Sequence, residues 1–149
     1  MNGLNPSQLS AASSLQPGHP AASLLVVEDD PQISDLYQII LERAGYRVSL
    51  AGDGLEALEL FRAAQREGRS YDLVLMDLSL PRMDGLECLR HLTGIDQGIR
   101  VLISSGSPSV DFQDLAPWVA GVVQKPVRMA TMLAQISQLL DQRPSPDPA

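Results

Sequence analysis

The sequence alternates between short apolar runs and longer segments with helical periodicity. Five runs predict β-strands, at residues 24–27, 46–51, 72–76, 100–104 and 120–124. A run that is apolar along its whole length is typical of a strand buried on both faces, because a half-exposed strand alternates apolar with polar residues. The pattern therefore predicts a parallel sheet that is covered on both sides.

The segments between these runs predict helices with recognisable ends. Asp30 followed by Pro31 is a helix N-cap with proline at the first helical position, and Gly45 ends that helix. Asp53 is a second N-cap. The expected buried stripes are Ile33, Leu36, Ile40 and Leu41 in the first helix, Leu55, Leu58 and Phe61 in the second, and Met129, Met132, Leu133, Ile136, Leu139 and Leu140 in the last.

Two further helices are expected between the later strands, at about 84–92 and, in a short irregular form limited by Pro117, at 111–118. A regular alternation of strand and helix predicts a doubly wound α/β fold with right-handed crossovers. In such open sheets, ligands bind beyond the carboxyl ends of the strands, where the strand order reverses.

The two ends of the chain differ in composition from its middle. Residues 1–22 are rich in Ala, Ser, Pro, Gly, Asn and Gln without periodicity, which predicts a flexible tail. Residues 142–149 carry alternating prolines and predict a second, proline-rich tail. Residues 23–141 are expected to form a single domain.

Composition narrows the class of protein. The 149 residues are 44% apolar and 19% charged, which is typical of a globular domain. A net charge of −7 argues against nucleic acid as a partner. Cys88 is the only cysteine, which excludes an internal disulfide and a cysteine-based zinc site. No apolar stretch has the length of a signal peptide or a membrane span, so we expect a cytoplasmic protein without a membrane partner.

Three acids and one lysine directly follow predicted strands. Glu28 and Asp29 come after the first strand, Asp77 after the third and Lys125 after the fifth. The carboxyl ends of neighbouring parallel strands lie side by side, so these side chains meet at one edge if the strands pair. Three carboxylates in contact cannot all stay ionised without a cation, which predicts a metal site. With a lysine beside it, such a site is suited to holding a phosphoryl group.

The chain resembles the receiver domain (CheY-like) of bacterial response regulators, the phosphoacceptor half of two-component and phosphorelay signalling. The resemblance covers residues 23–141 and implies the flavodoxin-like strand order 2-1-3-4-5. It rests on several motifs in order: Glu28 and Asp29 after the first strand, Asp77 followed by Pro81, Asp84 and Gly85, a hydroxyl after the fourth strand, and Lys125 followed by Pro126.

The resemblance implies a role for each acidic residue. Asp77 is similar in position to the phosphoacceptor, which takes a phosphoryl group from a histidine kinase or a phosphotransfer protein. It implies Mg²⁺ bound by Asp77, by Asp29 directly, by Glu28 mainly through water, and by the main-chain carbonyl of Ser79. Ser79 and Ser107 occupy the two positions whose side chains tune hydrolysis of the phosphoryl group.

The resemblance also implies two groups that respond to phosphorylation. Ser105 is similar to the switch hydroxyl and Lys125 to the lysine, both of which contact the phosphoryl oxygens. Ser104 is the alternative hydroxyl, although Gly106 fits the small residue expected after Ser105. One position departs from the family pattern, because Val122 stands where an aromatic residue is usual.

The function implied is that of a stand-alone response regulator that signals through contacts with an unknown downstream protein. It would be a phosphoacceptor with self-catalysed chemistry rather than an enzyme acting on metabolites, and a phosphorylation-linked dimer is left open. Val122 and the short segment that follows Ser105 motivate an alternative, a receiver-fold interaction module that does not switch. A metal-dependent phosphohydrolase ranks last, since it would want a second acid where Ser79 stands.

Overall fold

The structure is a computed structural model that describes residues 21–78, 85–106 and 119–141. The strands are β1 (Ser23–Val27), β2 (Arg47–Ala51), β3 (Leu73–Asp77), β4 (Val101–Ser105) and β5 (Gly121–Gln124). The helices of these segments are α1 (Pro31–Arg43), α2 (Gly54–Arg66), α3 (Gly85–Ile95) and α4 (Met129–Asp141). Every predicted strand is present with ends shifted by a residue or so, and α3 continues beyond its expected end. In these segments no helix is both long and apolar enough to cross a membrane.

Several predictions concern residues that lie outside the described segments. These are the irregular helix at 111–118, residues 1–20 and 142–149 of the two expected tails, and the side chains and carbonyls of Ser79 and Ser107. They stay predictions.

All five strands are parallel and form one sheet in the order β2-β1-β3-β4-β5. This order confirms the doubly wound, flavodoxin-like arrangement. In the sheet, β2 lies next to β1 on one side and β3 lies next to β1 on the other. The strand order therefore reverses between β1 and β3. The crevice for a ligand is therefore expected at the carboxyl ends of these two strands.

Two layers of apolar side chains cover the sheet, one on each face. The first cluster joins α2 and α3 to the sheet and contains Leu25, Val27, Ala57, Phe61, Val74, Met76, Leu89, Leu92, Val101 and Ile103 among others. The second cluster joins α1 and α4 to the sheet and contains Leu24, Val26, Tyr37, Leu41, Leu73, Leu75, Leu102, Val123, Met132 and Ile136 among others. Successive residues of each strand alternate between the clusters, as the geometry of a strand requires.

The helix caps follow the predicted chemistry. The Asp30 carboxylate accepts hydrogen bonds from the backbone N–H groups of Gln32 and Ile33 at 2.9 and 3.4 Å. Asp53 accepts one from the N–H of Glu56 at 2.9 Å. After α1, Gly45 has a φ angle of 101°, a backbone conformation that residues with a Cβ atom rarely adopt.

The buried face of α1 differs from the predicted stripe. Leu41 is buried as expected, but Leu36 is 46% exposed. Ser34 and Tyr37 are buried in its place. The periodicity counted Leu36 because it is apolar, whereas packing against the sheet selects the residues spaced three and four apart that end in Leu41.

A similar correction applies to α2, and the last helix follows its prediction. Leu55 is 41% exposed, whereas Leu58 and Phe61 are buried. Leu55 lies in the first turn of α2, where small residues take the inner positions. In α4 the buried residues Met132, Ile136 and Leu140 all belong to the predicted stripe, and its other members Met129, Leu133 and Leu139 are partly buried.

Two glycines give opposite expectations for the same substitution. Gly45→Ala places a Cβ atom at a φ of 101° and should lower the free energy of unfolding by about 1–2 kcal/mol. Gly94 lies in α3, where an added Cβ meets no atom within 4 Å. Gly94→Ala should therefore raise the free energy of unfolding by about 0.5–1 kcal/mol. Urea unfolding of both variants tests this, and the same sign for both would contradict it.

Candidate functional site

The site lies where β1, β3 and β5 end. Glu28 follows β1, and its N–H donates to the carbonyl of Ala51 at 3.0 Å, which extends the sheet by one residue. Asp77 is the last residue of β3. Lys125 follows β5, and its N–H donates to the carbonyl of Ser105 at 2.8 Å. Backbone hydrogen bonds thus hold the main chain of Glu28 and Lys125 at the predicted edge, and pairing of β3 with β4 holds that of Asp77 there.

Lys125 joins the buried acids of two strands. Its Nζ donates a hydrogen bond to Oδ2 of Asp77 at 2.9 Å and lies 4.0 Å from Oε1 of Glu28. The Asp77 and Glu28 side chains are 5% and 2% exposed, whereas that of Lys125 is 30% exposed. The ammonium therefore compensates two carboxylates that have lost most of their contact with water.

Glu28, Asp29 and Asp77 form a group that can hold a metal ion. Each offers one carboxylate oxygen, and these oxygens lie within 4.8 Å of one another. Glu28 and Asp77 are buried, whereas Asp29 is exposed. Carboxylates that converge on a partly open space suit a small, hard divalent cation that keeps some of its water.

One carboxylate oxygen of Glu28 supports binding of a metal at this group. Its Oε2 accepts a hydrogen bond from the N–H of Asp30 at 3.1 Å. Its Oε1 is buried and has no hydrogen-bond partner within the described residues. A buried carboxylate oxygen that accepts no hydrogen bond is costly, and a cation or a water molecule held by a cation would satisfy it. The three acids therefore fit the metal that the sequence predicts.

The electrostatics of Glu28 and Lys125 reflect this crowding. Burial raises the pKa of the Glu28 carboxyl above its usual value, the Asp30 N–H opposes the rise, and the negative charge of Asp77 adds to it. Partial burial lowers the pKa of the Lys125 ammonium, but the hydrogen bond and charge of Asp77 and the charge of Glu28 bring it above its usual value. The site thus favours the charged form of Lys125 and disfavours the charged form of Glu28.

Strand alternation shows which side of the sheet the site occupies. In β1 and β3, Leu24, Val26, Leu73 and Leu75 belong to the second cluster. Glu28 and Asp77 continue these two series in steps of two residues. Val123 also belongs to the second cluster, and Lys125 lies two residues further. All three charged groups therefore lie on the side of α1 and α4.

Tyr37 is a residue of this region that the sequence analysis did not single out. It lies on α1, is 2% exposed and belongs to the second cluster. The charges of Glu28, Lys125 and Asp77 all act on its phenol. Tyrosine is an ambiguous residue in a periodicity count because it joins an apolar ring to a polar hydroxyl. Its place one helical turn before Leu41 was the available signal.

The two candidate hydroxyls of β4 are both buried, with Ser104 at 1% and Ser105 at 5% exposure. The register pairs Ser104 with Asp77 and Ser105 with Gln124. Alternation places Ser104 on the same side of the sheet as Asp77. Ser105 is linked to Lys125 through the main chain, because its carbonyl accepts the hydrogen bond from the Lys125 N–H. The choice of Ser105 as the switch hydroxyl stays a prediction, with Ser104 as its alternative.

Val122 lies on the other side of the sheet from the acids. It pairs with Ile103 of β4 and packs, partly buried, against the first cluster. The side chain that stands in the usual aromatic position is therefore a small apolar one that contributes to packing.

Known proteins of similar sequence point to one family. The family model for the response regulator receiver domain matches residues 24–137. The response regulator MprA of Mycobacterium sp. (strain KMS) is 39% identical over 126 residues, which are 83% of this chain and 52% of that protein. The transcriptional regulatory protein CpxR homolog of Haemophilus influenzae is 29% identical over 126 residues, or 84% of this chain and 53% of that protein. The chain spans about half the length of these curated relatives.

Solved structures agree with the sequence comparison. A CheY-like response regulator receiver domain protein from Methanospirillum hungatei JF-1 superposes with a TM-score of 0.72 at 30% identity, covering 83% of this chain and 96% of the other. A response regulator receiver protein from Sinorhizobium medicae WSM419 shares the fold with a TM-score of 0.73 at 24% identity, covering 83% and 98%. With its parallel sheet, its acidic edge and the family match over most of its length, this chain belongs to the response regulator receiver domain family.

Proposed function

We propose that this receiver domain is a phosphoacceptor of two-component or phosphorelay signalling and that Asp77 accepts the phosphoryl group. The observation that carries the proposal is the Lys125 ammonium, whose Nζ lies 2.9 Å from Oδ2 of Asp77 and 4.0 Å from Oε1 of Glu28, an oxygen that accepts no hydrogen bond within the described residues. A receiver domain is a signalling protein rather than a classical enzyme. The chemistry proposed here is therefore a single transfer onto the protein itself.

In the proposed transfer, a carboxylate oxygen of Asp77 attacks the phosphorus of a phosphohistidine. A phosphorus–oxygen bond forms as the phosphorus–nitrogen bond breaks, and the electron pair of the broken bond returns to the ring nitrogen. The other ring nitrogen carries the proton, so neutral imidazole leaves. Lys125 exchanges its bond to Asp77 for one to a phosphoryl oxygen, because that oxygen now carries the negative charge.

The acids around Asp77 assist this transfer by holding Mg²⁺. Asp29 would hold Mg²⁺ directly and Glu28 mainly through water, with Asp77 and the main-chain carbonyl of Ser79 as the other protein ligands. When bound, the cation would supply positive charge that offsets the charge on the transferring phosphoryl oxygens. Ser79 and Ser107 tune the later hydrolysis, and Ser105 bonds the phosphoryl oxygen as the switch hydroxyl.

The proposed partners are a sensor histidine kinase or a phosphotransfer protein, which donates the phosphoryl group, and a downstream protein that distinguishes the phosphorylated form. The proposed contacts with the phosphoryl donor and with the downstream protein take place in the cytoplasm. The second candidate is a receiver-fold module that binds its partner without switching. The apolar packing of Val122 against the first cluster favours it, because no aromatic ring at that position can move with the switch hydroxyl.

The first test is phosphorylation by a small donor. With acetyl phosphate and Mg²⁺, the wild type should gain one phosphoryl group, and Asp77→Asn should gain none, because the amide is not a nucleophile. Intact mass spectrometry measures both. Chelation of Mg²⁺ should abolish labelling of the wild type.

Asp72→Asn is the matched control, since this acid lies at the opposite end of β3 and accepts a hydrogen bond from the N–H of Ser23. It should label like the wild type. A wild type that binds Mg²⁺ but takes up no phosphoryl group would contradict the proposal and favour the module that does not switch.

Glu28→Gln should separate stability from metal binding. Because burial raises the folded-state pKa of Glu28 above 4.5, the folded form binds its proton more tightly than the unfolded form. Without metal, the wild type therefore loses stability relative to Glu28→Gln as the pH rises from 4.5 through the folded-state pKa. With Mg²⁺ at about 100 times its dissociation constant, the wild type gains about 2.7 kcal/mol and the variant gains less.

Thermal unfolding between pH 4.5 and 7.5, with Mg²⁺ or with chelator, checks both parts. Glu59→Gln makes the same chemical change on the exposed face of α2 and should leave the pH profile and the Mg²⁺ response unchanged. An equal Mg²⁺ response in wild type and Glu28→Gln would remove Glu28 from the metal site.

Ser105→Ala and Ser104→Ala decide between the two hydroxyls. Both variants should still be labelled at Asp77, because neither hydroxyl is the nucleophile. Ser105→Ala should lose the response of the Lys125 backbone amide signal to phosphorylation. In the phosphorylated form, the equilibrium constant for the switched state should fall about fivefold, which corresponds to the loss of one hydrogen bond. Ser104→Ala should keep both. The reverse result in amide spectra would assign the role to Ser104.

A further inference from the structure

A polar cleft of about 310 Å³ lies at the amino ends of β1 and β2, at the opposite end of the strands from the acids. We refer to it as the arginine cleft. Its walls include Ser23 of β1, Arg47 and Ser49 of β2, Ala64 of α2, and Arg69 and Ser70 of the segment after α2. Its volume is at the lower end of the roughly 300–1,000 Å³ that is typical of small-molecule sites. The proposed function makes no use of it.

Small side chains create the space of the arginine cleft. Ala51 of β2 belongs to the first cluster, and Arg47 and Ser49 precede it in steps of two residues, so they lie on the side of α2. Ser23 pairs with Arg47 and therefore faces the same side. From the helix, Ala64 is the buried residue that lines the cleft. Two serines and an alanine leave open the volume that larger apolar residues fill further along the sheet.

The turn after α2 holds Arg69 at this cleft. The N–H of Arg69 donates to the carbonyl of Ala64 at 2.8 Å, and that of Gly68 donates to the carbonyl of Gln65 at 3.1 Å. Gly68 has a φ angle of 75°. These bonds form a Schellman motif, in which the position of Arg69 commonly carries an apolar residue that packs on the helix. A guanidinium group takes that position here, beside the open volume.

The charge of the arginine cleft is positive, although the chain carries a net charge of −7. Of the described residues that line it, none is acidic. Arg47 is exposed and forms no ion pair with an acid of the described residues. Arg69 pairs with Glu67, but both side chains are more than half exposed, and such pairs are weak. Two guanidinium groups are therefore available to an anion.

We propose that the arginine cleft binds the phosphate group of a small metabolite. Arg47 and Arg69 supply paired N–H donors, whose fork geometry matches the oxygens of a phosphate. The hydroxyl groups of Ser23, Ser49 and Ser70 supply neutral donors. Arg69 exchanges Glu67 for the phosphate on binding, and the remaining volume takes the small organic group of a phosphate ester. Free inorganic phosphate shares the same chemistry of recognition, so the test includes both.

Backbone amide spectra of the full chain test this site. With a chelator present, glycerol 3-phosphate and inorganic phosphate should each shift the signals of Ser49, Arg69 and Ser70 in a saturable way at constant ionic strength. Glycerol should shift none of them, because it lacks the anion. The dissociation constant should be lower for glycerol 3-phosphate than for inorganic phosphate. Equal or tighter binding of inorganic phosphate would overturn the assignment to a phosphate ester.

Three substitutions probe the charged groups. Arg47→Gln and Arg69→Gln should each raise the dissociation constant for glycerol 3-phosphate about tenfold, because each removes a charge-assisted hydrogen bond. Glu67→Gln should lower the dissociation constant, because it removes the carboxylate that competes for Arg69. Arg90→Gln is the matched control, since Arg90 is exposed on α3 and does not line the cleft. It should bind like the wild type.

Two results would overturn the site itself. Saturable shifts confined to the signal of Lys125 would place the phosphate at the acidic edge of the sheet rather than at the arginine cleft. An equal loss of affinity in Arg90→Gln and Arg47→Gln would reduce the binding to a general attraction between charges. Both readouts are independent of labelling at Asp77, so the failure of one proposal leaves the other to its own test.

Discussion

The ion pair between Lys125 and Asp77, with Nζ and Oδ2 2.9 Å apart, is the contact on which the site depends. Parallel strands bring Glu28 and Asp77 to the edge of the sheet with almost no exposure to water. Two buried carboxylates repel each other, and each loses solvation. Lys125 compensates both from the end of β5. The sheet order is therefore an electrostatic requirement as well as a topological one, since it delivers the compensating charge.

Lys125 compensates the negative charge of the site incompletely, which suits the site to binding a cation. One ammonium cannot satisfy two carboxylates and the exposed Asp29 beside them, and Oε1 of Glu28 is left without a hydrogen bond within the described residues. The raised pKa of Glu28 expresses the same imbalance. A domain that keeps such an arrangement forgoes some stability, and a divalent cation would recover it. Stability and binding are thus linked through the same oxygen atoms.

The two faces of the sheet divide the roles around this edge. Val122 packs against the first cluster, on the side of α2 and α3, and adds only apolar contact. Tyr37 is buried in the second cluster, on the side of the charged groups, and Tyr46 packs, partly buried, against the same cluster. The buried phenol on the side of the charged groups is therefore carried by α1, whereas β5 carries an apolar side chain at Val122.

The sequence by itself determined the strands, the helix caps at Asp30 and Asp53, the parallel sheet and the edge at which the acids meet. These features follow from local chemistry, because strand runs, cap side chains and motif order are all read along the chain. Tertiary structure decided the rest. Periodicity could not tell that Leu36 and Leu55 face solvent or that Tyr37 is buried, because it scores apolar character and not the shape of the surface that a helix meets. Nor could it give the 2.9 Å contact between Lys125 and Asp77, or the Glu28 oxygen that accepts no hydrogen bond within the described residues. Those depend on how residues about 50 and 100 positions apart are placed by packing of the whole sheet.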